Sequence, residues 1–315
     1  MHALNGPLTA VAVVVLLPTL LAPAVFAGNG ANGAAAGDLL VGSAGTNSVS
    51  LYDGATGASL GDFVAAGSGG LSQPRGLAFG PDGNLYVASR NSSSVLRYDG
   101  ATGAFIDAFV PSGRGGLSTA VGLTFGPDGN LYVASRGNNS VLRYHGSTGA
   151  FIDVFATPGS GGLVDPRDPE FGPDGDLYVS SAGDGTVRHY DGATGSFIEV
   201  FAASGRPGEG CSSCLSQPVG IDWGPDGDLY VSSYNNNRVQ RFEGETGAFV
   251  GTFAFGNGLC GAIDSEFGPD GSLYVSSNCT SRVLRFDGAT GSSLGTFVTN
   301  KSGELAAPAW LLFVP

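Results

Sequence analysis

The twelve residues FGPDGNLYVASR stand at 79–90 and return unchanged at 125–136. Looser copies begin at Phe171, Trp223 and Phe267, so the unit recurs after 46, 46, 52 and 44 residues. A period of this length means one supersecondary unit written repeatedly, each copy burying its apolar faces against the next. Within a unit, short alternating segments such as 77–79, 85–88, 95–98 and 105–110 read as four strands. They are separated by GPDG and DGATG, in which Pro presets one dihedral, Asp bonds back to the local backbone and Gly accepts positive φ. Both are reversals between antiparallel strands. With 54 glycines and no ten-residue run of helical period after residue 30, helix is expected to be nearly absent.

A four-stranded antiparallel sheet buries too little alone and must pack on neighbouring sheets. Units of this period set radially around an axis are the blades of a β-propeller. Six copies of the second strand are present: DLLVGS at 38, NLYVAS at 84 and 130, DLYVSS at 176 and 228, and SLYVSS at 272. The predicted fold is therefore all-β, a six-bladed β-propeller of four-stranded antiparallel blades, with blade starts near 38, 75, 121, 166, 218 and 262. The first copy lacks the strand that precedes all the others. PAWLLFVP, at 308–315, matches PRGLAFGP in spacing and puts Phe313 in the column of Phe79. The C-terminal strand, 308–314, is thus predicted to close the ring by joining the N-terminal blade.

The units PRGLAFGPDGNLYVASRNSSSVLRYD and PVGIDWGPDGDLYVSSYNNNRVQRFE resemble those of NHL-repeat propellers, within the wider group of streptogramin-lyase and lactonase-type six-bladed propellers. The resemblance covers roughly residues 38–315. It implies the fold more than an activity, since the group includes binding platforms, lyases and extracellular modules. NHL units usually end the second strand with Asp, and this chain has Ser89, Ser135, Ser181, Ser233 and Ser277 there. Kelch repeats share the period, but their paired-Gly strand signature is absent here, and no WD closes any unit.

Residues 10–27 are apolar and end in Val25, Phe26 and Ala27, with small residues where a signal peptidase reads. Residues 1–27 are read as a signal peptide and 28–37 as a flexible lead-in, which predicts a secreted, periplasmic or extracellular protein. The first nine residues contain no Lys or Arg, and the stretch is long enough for a membrane anchor. Pro18 and Pro23 argue against a stable span. The net charge of −13 argues against nucleic acid and anionic membrane as partners, because both need clustered basic residues.

Four cysteines in an exported chain point to two disulfides. Cys260 and Cys279 fall on loops at the same face of the last blade, so the preferred pairing is Cys260 with Cys279 and Cys211 with Cys214. A redox CSSC would need a helix N-terminus, and a four-thiolate zinc site would need a second close pair.

If the inner strand of each blade runs up, the uniform GPDG and DGATG turns form the upper rim. The varied Gly-, Ser- and Asn-rich loops form the lower rim, suited to a protein or glycan ligand. Aligned on the Phe79 column, the preceding residue is Ala78, Thr124, Glu170, Asp222, Glu266 or Leu312. Three before, it is Gly76, Gly122, Asp168, Gly220, Asp264 or Trp310. Five carboxylates thus fall on the inner strands of three consecutive blades. Two readings follow: hydrogen bonding to the neighbouring blade's backbone, or calcium or another divalent cation held on the axis by oxygen ligands. In the second reading, similarity to lactonase-type propellers implies a metal-dependent hydrolase in which Glu170, Glu266, Asp222, Asn235 and Asn278 supply the ligands. Arg75 and Arg167, at matching positions ahead of the inner strands, either receive an anionic ligand group or pair with Asp168. The lyase branch needs axial histidine, whereas His145 falls in a turn and His189 in a third strand. No GxSxG or phosphate loop occurs. The leading expectation is a non-enzymatic binding module using the lower rim, with the lactonase-type hydrolase as the alternative.

Overall fold

The computed structural model describes residues 33–203, 215–300 and 302–315. The signal segment and the Cys211/Cys214 pair lie outside the described residues. Six four-stranded antiparallel sheets form the ring. In the blade that carries the first perfect repeat, the strands run Pro74–Phe79, Leu85–Ser89, Ser94–Tyr98 and Phe105–Val110, from the axis outward. No α-helix occurs among the described residues, only short 3-10 turns such as Ser68–Gly70.

The repeated letters are explained by what they touch. Asp82 of GPDG accepts the Asn84 amide at 3.1 Å and the Tyr86 hydroxyl at 3.0 Å, so one carboxylate fixes both the turn and the core tyrosine. Asp99 of DGATG accepts the Thr102 amide and hydroxyl at 2.9 and 2.7 Å. Gly103 of that turn has φ 69°, and a Cβ there would lie 1.8 Å from the Phe63 carbonyl of the preceding blade. Only glycine permits that approach.

Between blades, Tyr86 meets Phe125 of the next blade edge-on at 4.9 Å, as Tyr132 meets Phe171, Tyr178 meets Trp223 and Tyr230 meets Phe267. Each such pair adds about 0.5–1.5 kcal/mol to the area it buries. The aromatic columns are interblade core. Tyr274 makes the same contact with Phe313 at 5.0 Å, so the closing interface is built like these four.

The ring closes as predicted: Pro308–Phe313 pairs antiparallel with Leu39–Ser43, in the register Leu39 to Phe313 and Val41 to Leu311. The serines that end the second strands anchor the lower loops. Ser89, Ser135, Ser181, Ser233 and Ser277 each accept the amide of the residue 17 positions earlier, at 2.9–3.1 Å. A disulfide joins Cys260 to Cys279, with Cα atoms 5.4 Å apart, and ties two lower loops of the last blade. Among the described residues no helix is long and apolar enough to cross a membrane.

Candidate functional site

The inner strands surround an axial channel that holds two cavities, one toward each face. Every inner strand carries one extra residue against its neighbour, a bulge such as that between Pro166 and Pro169, which pairs with Ser181 and Val179. Bulges of this kind re-aim side chains at the inner rim of a closed architecture.

The upper cavity, of about 360 Å³, is lined by Asp168, Glu170, Asp222, Asp264 and Glu266 on one side. Leu77, Ala78, Leu123 and Leu312 face them. The five carboxylates converge as the alignment predicts. Glu170 accepts from the Thr124 hydroxyl and the Phe171 amide, and the three aspartates reach the next blade. Asp168 accepts the Ile221 amide of the next blade at 3.1 Å. Asp264 accepts the Leu311 amide at 2.9 Å, and Asp222 the Phe267 amide at 3.2 Å. Each aspartate therefore bridges its own blade to the following one. Trp310 reaches across the channel from the ring-closing blade and donates its indole N–H to Asp168 at 3.2 Å.

The glycines of this column reflect the same close packing. A Cβ on Gly220 would lie 2.1 Å from Asp264 Oδ1, and one on Gly122 would lie 2.4 Å from Asp168 Oδ1. Burial pushes all five carboxyls up, because the charged form is denied water. Asp168 and Asp222 rise to about 7, and Glu170, Asp264 and Glu266 also rise well above the ordinary carboxyl range. Neighbouring carboxylates add to the rise for Glu170, Asp264 and Glu266.

The two asparagines do not join this group. Asn278 lines the lower cavity and donates to the Pro308 carbonyl at 3.0 Å. Asn235 is exposed and donates to Ser216 Oγ at 3.3 Å.

The lower cavity, of about 260 Å³, has the opposite character. Arg75, Arg90, Arg136 and Arg167 line one side, from three consecutive blades; Val219, Ile263, Gln217, Tyr234, Asn278 and Trp310 complete it. Arg167 pairs with Asp165 rather than Asp168, through two bonds of 2.8 and 2.9 Å. Arg136 binds the same carboxylate at 2.5 Å, and Arg90 donates to the Gln73 side chain at 3.0 Å. Among the described residues, no hydrogen bond or ion pair reaches the Arg75 guanidinium. Burial pulls its pKa down to about 10, and the guanidinium charges of Arg90, Arg167 and Arg136 act in the same direction.

Arg90 and Arg136 escape a reading centred on the inner strand. The signal that finds them is the residue just after each second-strand serine: Ala44, Arg90, Arg136, Ala182, Tyr234 and Asn278. Four of these six line the lower cavity. His189 lies in a third strand, as expected. Its ring nitrogens and the carboxylates of Asp174 and Asp176 have ligand atoms within 4.8 Å of one another. Arginine stands in the same place in four other blades, where Arg97, Arg143, Arg241 and Arg285 meet the equivalent turn aspartates. His189 thus fills a recurring cation position of the scaffold.

No protein-family model and no curated protein sequence matches the chain. Solved structures do. A chain of a nidogen/laminin complex superposes with a TM-score of 0.68 at 16% identity, covering 87% of this chain and 97% of that one. A protein of unknown function from Bacteroides caccae gives 0.61 at 15%, covering 87% and 99%. Virginiamycin B lyase from Staphylococcus aureus, in an inactive form with quinupristin, gives 0.57 at 15%, covering 82% and 80%. At such identities the likeness is one of fold, and the six four-stranded sheets and the closing strand make the chain a six-bladed β-propeller.

Proposed function

We propose that the protein is an exported binding module that takes its ligand at the lower mouth of the axial channel. One observation carries this reading: the polar groups at the two ends of the channel differ in what they are bonded to. At the upper end, Asp168, Asp222 and Asp264 accept backbone amides of the next blade. At the lower end, Arg75 opens on a cavity with no partner of its own, ringed by the loops that vary most from blade to blade. Unspent donors on a rigid frame are what a binding site offers. The disulfide favours an oxidising compartment, in keeping with cleavage after Ala27. Similar folds occur in the nidogen/laminin complex and in a lyase, so the architecture serves both association and chemistry.

The lactonase-type hydrolase draws support from the convergence of five carboxylates in one cavity. Against it stand the amides that occupy three of them and the placement of Asn278 in the other cavity. The test uses residues 28–315 against defined glycans, proteins and small lactones. The comparison variants are Tyr234→Ala with Asn278→Ala below, and Glu170→Gln with Glu266→Gln above. Ligand binding lost only in the lower pair supports the binding module. Lactone turnover lost only in the upper pair overturns it in favour of the hydrolase. Sequencing the N-terminus of the exported protein should find Gly28 first.

A further inference from the structure

We propose that the lower mouth binds a small, multiply charged oxyanion, a di- or tricarboxylate or a phosphate, held by the guanidiniums of Arg75, Arg90, Arg136 and Arg167. This rests on the lower-mouth reading and gives it a ligand class. The four side chains line one cavity and, among the described residues, pair with one carboxylate, that of Asp165, which Arg136 and Arg167 share. Four positive charges against one negative leave an excess of three, in a chain whose overall charge is −13. The excess is therefore local and does not follow from a generally basic surface. It also opposes the long-range field of the molecule, which repels anions.

Arginine suits this task better than lysine. Its planar fork presents paired donors to the two oxygens of a carboxylate or to the edge of a phosphate, with part of the geometry already fixed. Arg167 is preset in this way by the two bonds from Asp165, and Arg90 by Gln73. Among the described residues Arg75 has no such tether, and Val121, Val219 and Ile263 of its own strand column line the same cavity. Keeping a guanidinium among three others without a counter-ion costs stability, and fold maintenance supplies no return for it. An anion completes the set. The volume of about 260 Å³ lies just under the ~300–1,000 Å³ of pockets for drug-sized ligands, so the ligand is small. Gln217, Asn278 and Tyr234, opposite the arginines, offer neutral hydrogen bonds to a hydroxyl on its far side.

The experiment is a calorimetric titration and a thermal melt of residues 28–315 in a low-salt buffer free of phosphate. The probes are citrate, succinate, inorganic phosphate and sulfate, with acetate, chloride and glucose as controls. Wild-type protein is compared with Arg75→Met and with Arg90→Gln. Citrate, succinate or phosphate should raise the wild-type melting point in a concentration-dependent, saturable way, and monovalent acetate should not. Arg75→Met should bind roughly tenfold to a hundredfold more weakly, the range for losing a hydrogen bond to a charged group. With no anion present, it should melt higher than wild type, because it removes an unpaired charge while keeping the apolar stem.

A merely structural Arg75 would give the reverse sign, a lower melting point with unchanged anion response, and that result overturns the proposal. So does a wild-type protein indifferent to every multivalent anion. If a neutral glycan then binds in a manner sensitive to Tyr234→Ala, the oxyanion assignment fails while the binding module stands. An anion effect retained in both arginine variants indicates an adventitious ion only, and it also overturns the assignment.

Discussion

The two ends of the axial channel share the same inner strands, with the residues after the second strands added at the lower end, and they differ in chemistry. Above, five carboxyls crowd one wall, and three of them accept backbone amides of the next blade. Below, four guanidiniums crowd one wall around a single aspartate. A cluster of like charges therefore says little by itself. What separates scaffold from site is whether each donor or acceptor has found a partner inside the protein.

The comparison breaks most visibly if an upper aspartate is removed. Asp168→Ala leaves the Ile221 amide and the Trp310 indole N–H without an acceptor in a buried place. At about 1–3 kcal/mol for each orphaned donor, the loss should be about 2–6 kcal/mol, read as a lower urea midpoint. Gly220→Ala tests the same interface from its other side. The new Cβ would collide with Asp264 Oδ1, and about 1–3 kcal/mol should be lost as strand and carboxylate move apart.

A third prediction concerns pH. A carboxyl with a raised pKa binds its proton more tightly in the folded chain than in the unfolded one. Its contribution is whole below the unfolded value near 4 and is lost as pH rises through the folded value, about 7 for Asp168 and Asp222. The turn aspartates act the other way: Asp82, Asp128 and Asp270 have lowered pKa values and lose their contribution as pH falls below about 4. Stability should therefore peak in acidic solution at about pH 4–5 and decline as pH rises from there through about 7. Glu170→Gln with Glu266→Gln should flatten that decline, raising the melting point at the alkaline end and leaving the acid end nearly unchanged.

The smallest effect expected is that of a metal. Calcium, magnesium, manganese or zinc added to chelator-stripped protein should leave the melting point within error, because three of the carboxyls already accept backbone amides of the next blade and Glu170 accepts from Thr124 and Phe171. A saturable rise with one metal, lost in the Glu170→Gln, Glu266→Gln protein, would put the cation on the axis and restore the hydrolase.

Much of this was legible in the residues. The period, the turn letters and the orphan strand at 308–314 fixed blade number and closure, because each depends on neighbours repeated in every copy. The acid wall was visible once the inner strands were aligned on Phe79. Its partners were not, since the Ile221 amide lies 53 residues from Asp168 and the Trp310 indole lies 142 residues away. The basic wall was half visible. Arg75 and Arg167 share one column, whereas Arg90 and Arg136 belong to another, and only the curvature of the ring brings the two columns to one mouth.

The shared blade at the closure governs how the chain reaches this state. Ser43 Oγ donates to the Ala306 carbonyl across 263 residues, and the pairing of Leu39 with Phe313 spans more still. Such a contact is reached only after nearly the whole polypeptide has been ordered, and its loop-closure entropy grows only as the logarithm of that span. Blade formation is thus a local, early event, and sealing the circle is a single late one. A circular permutant that links 315 to 38 and opens the chain between two other blades should keep the same final structure. It would transfer the slow step to a new seam, and refolding rates would locate that seam.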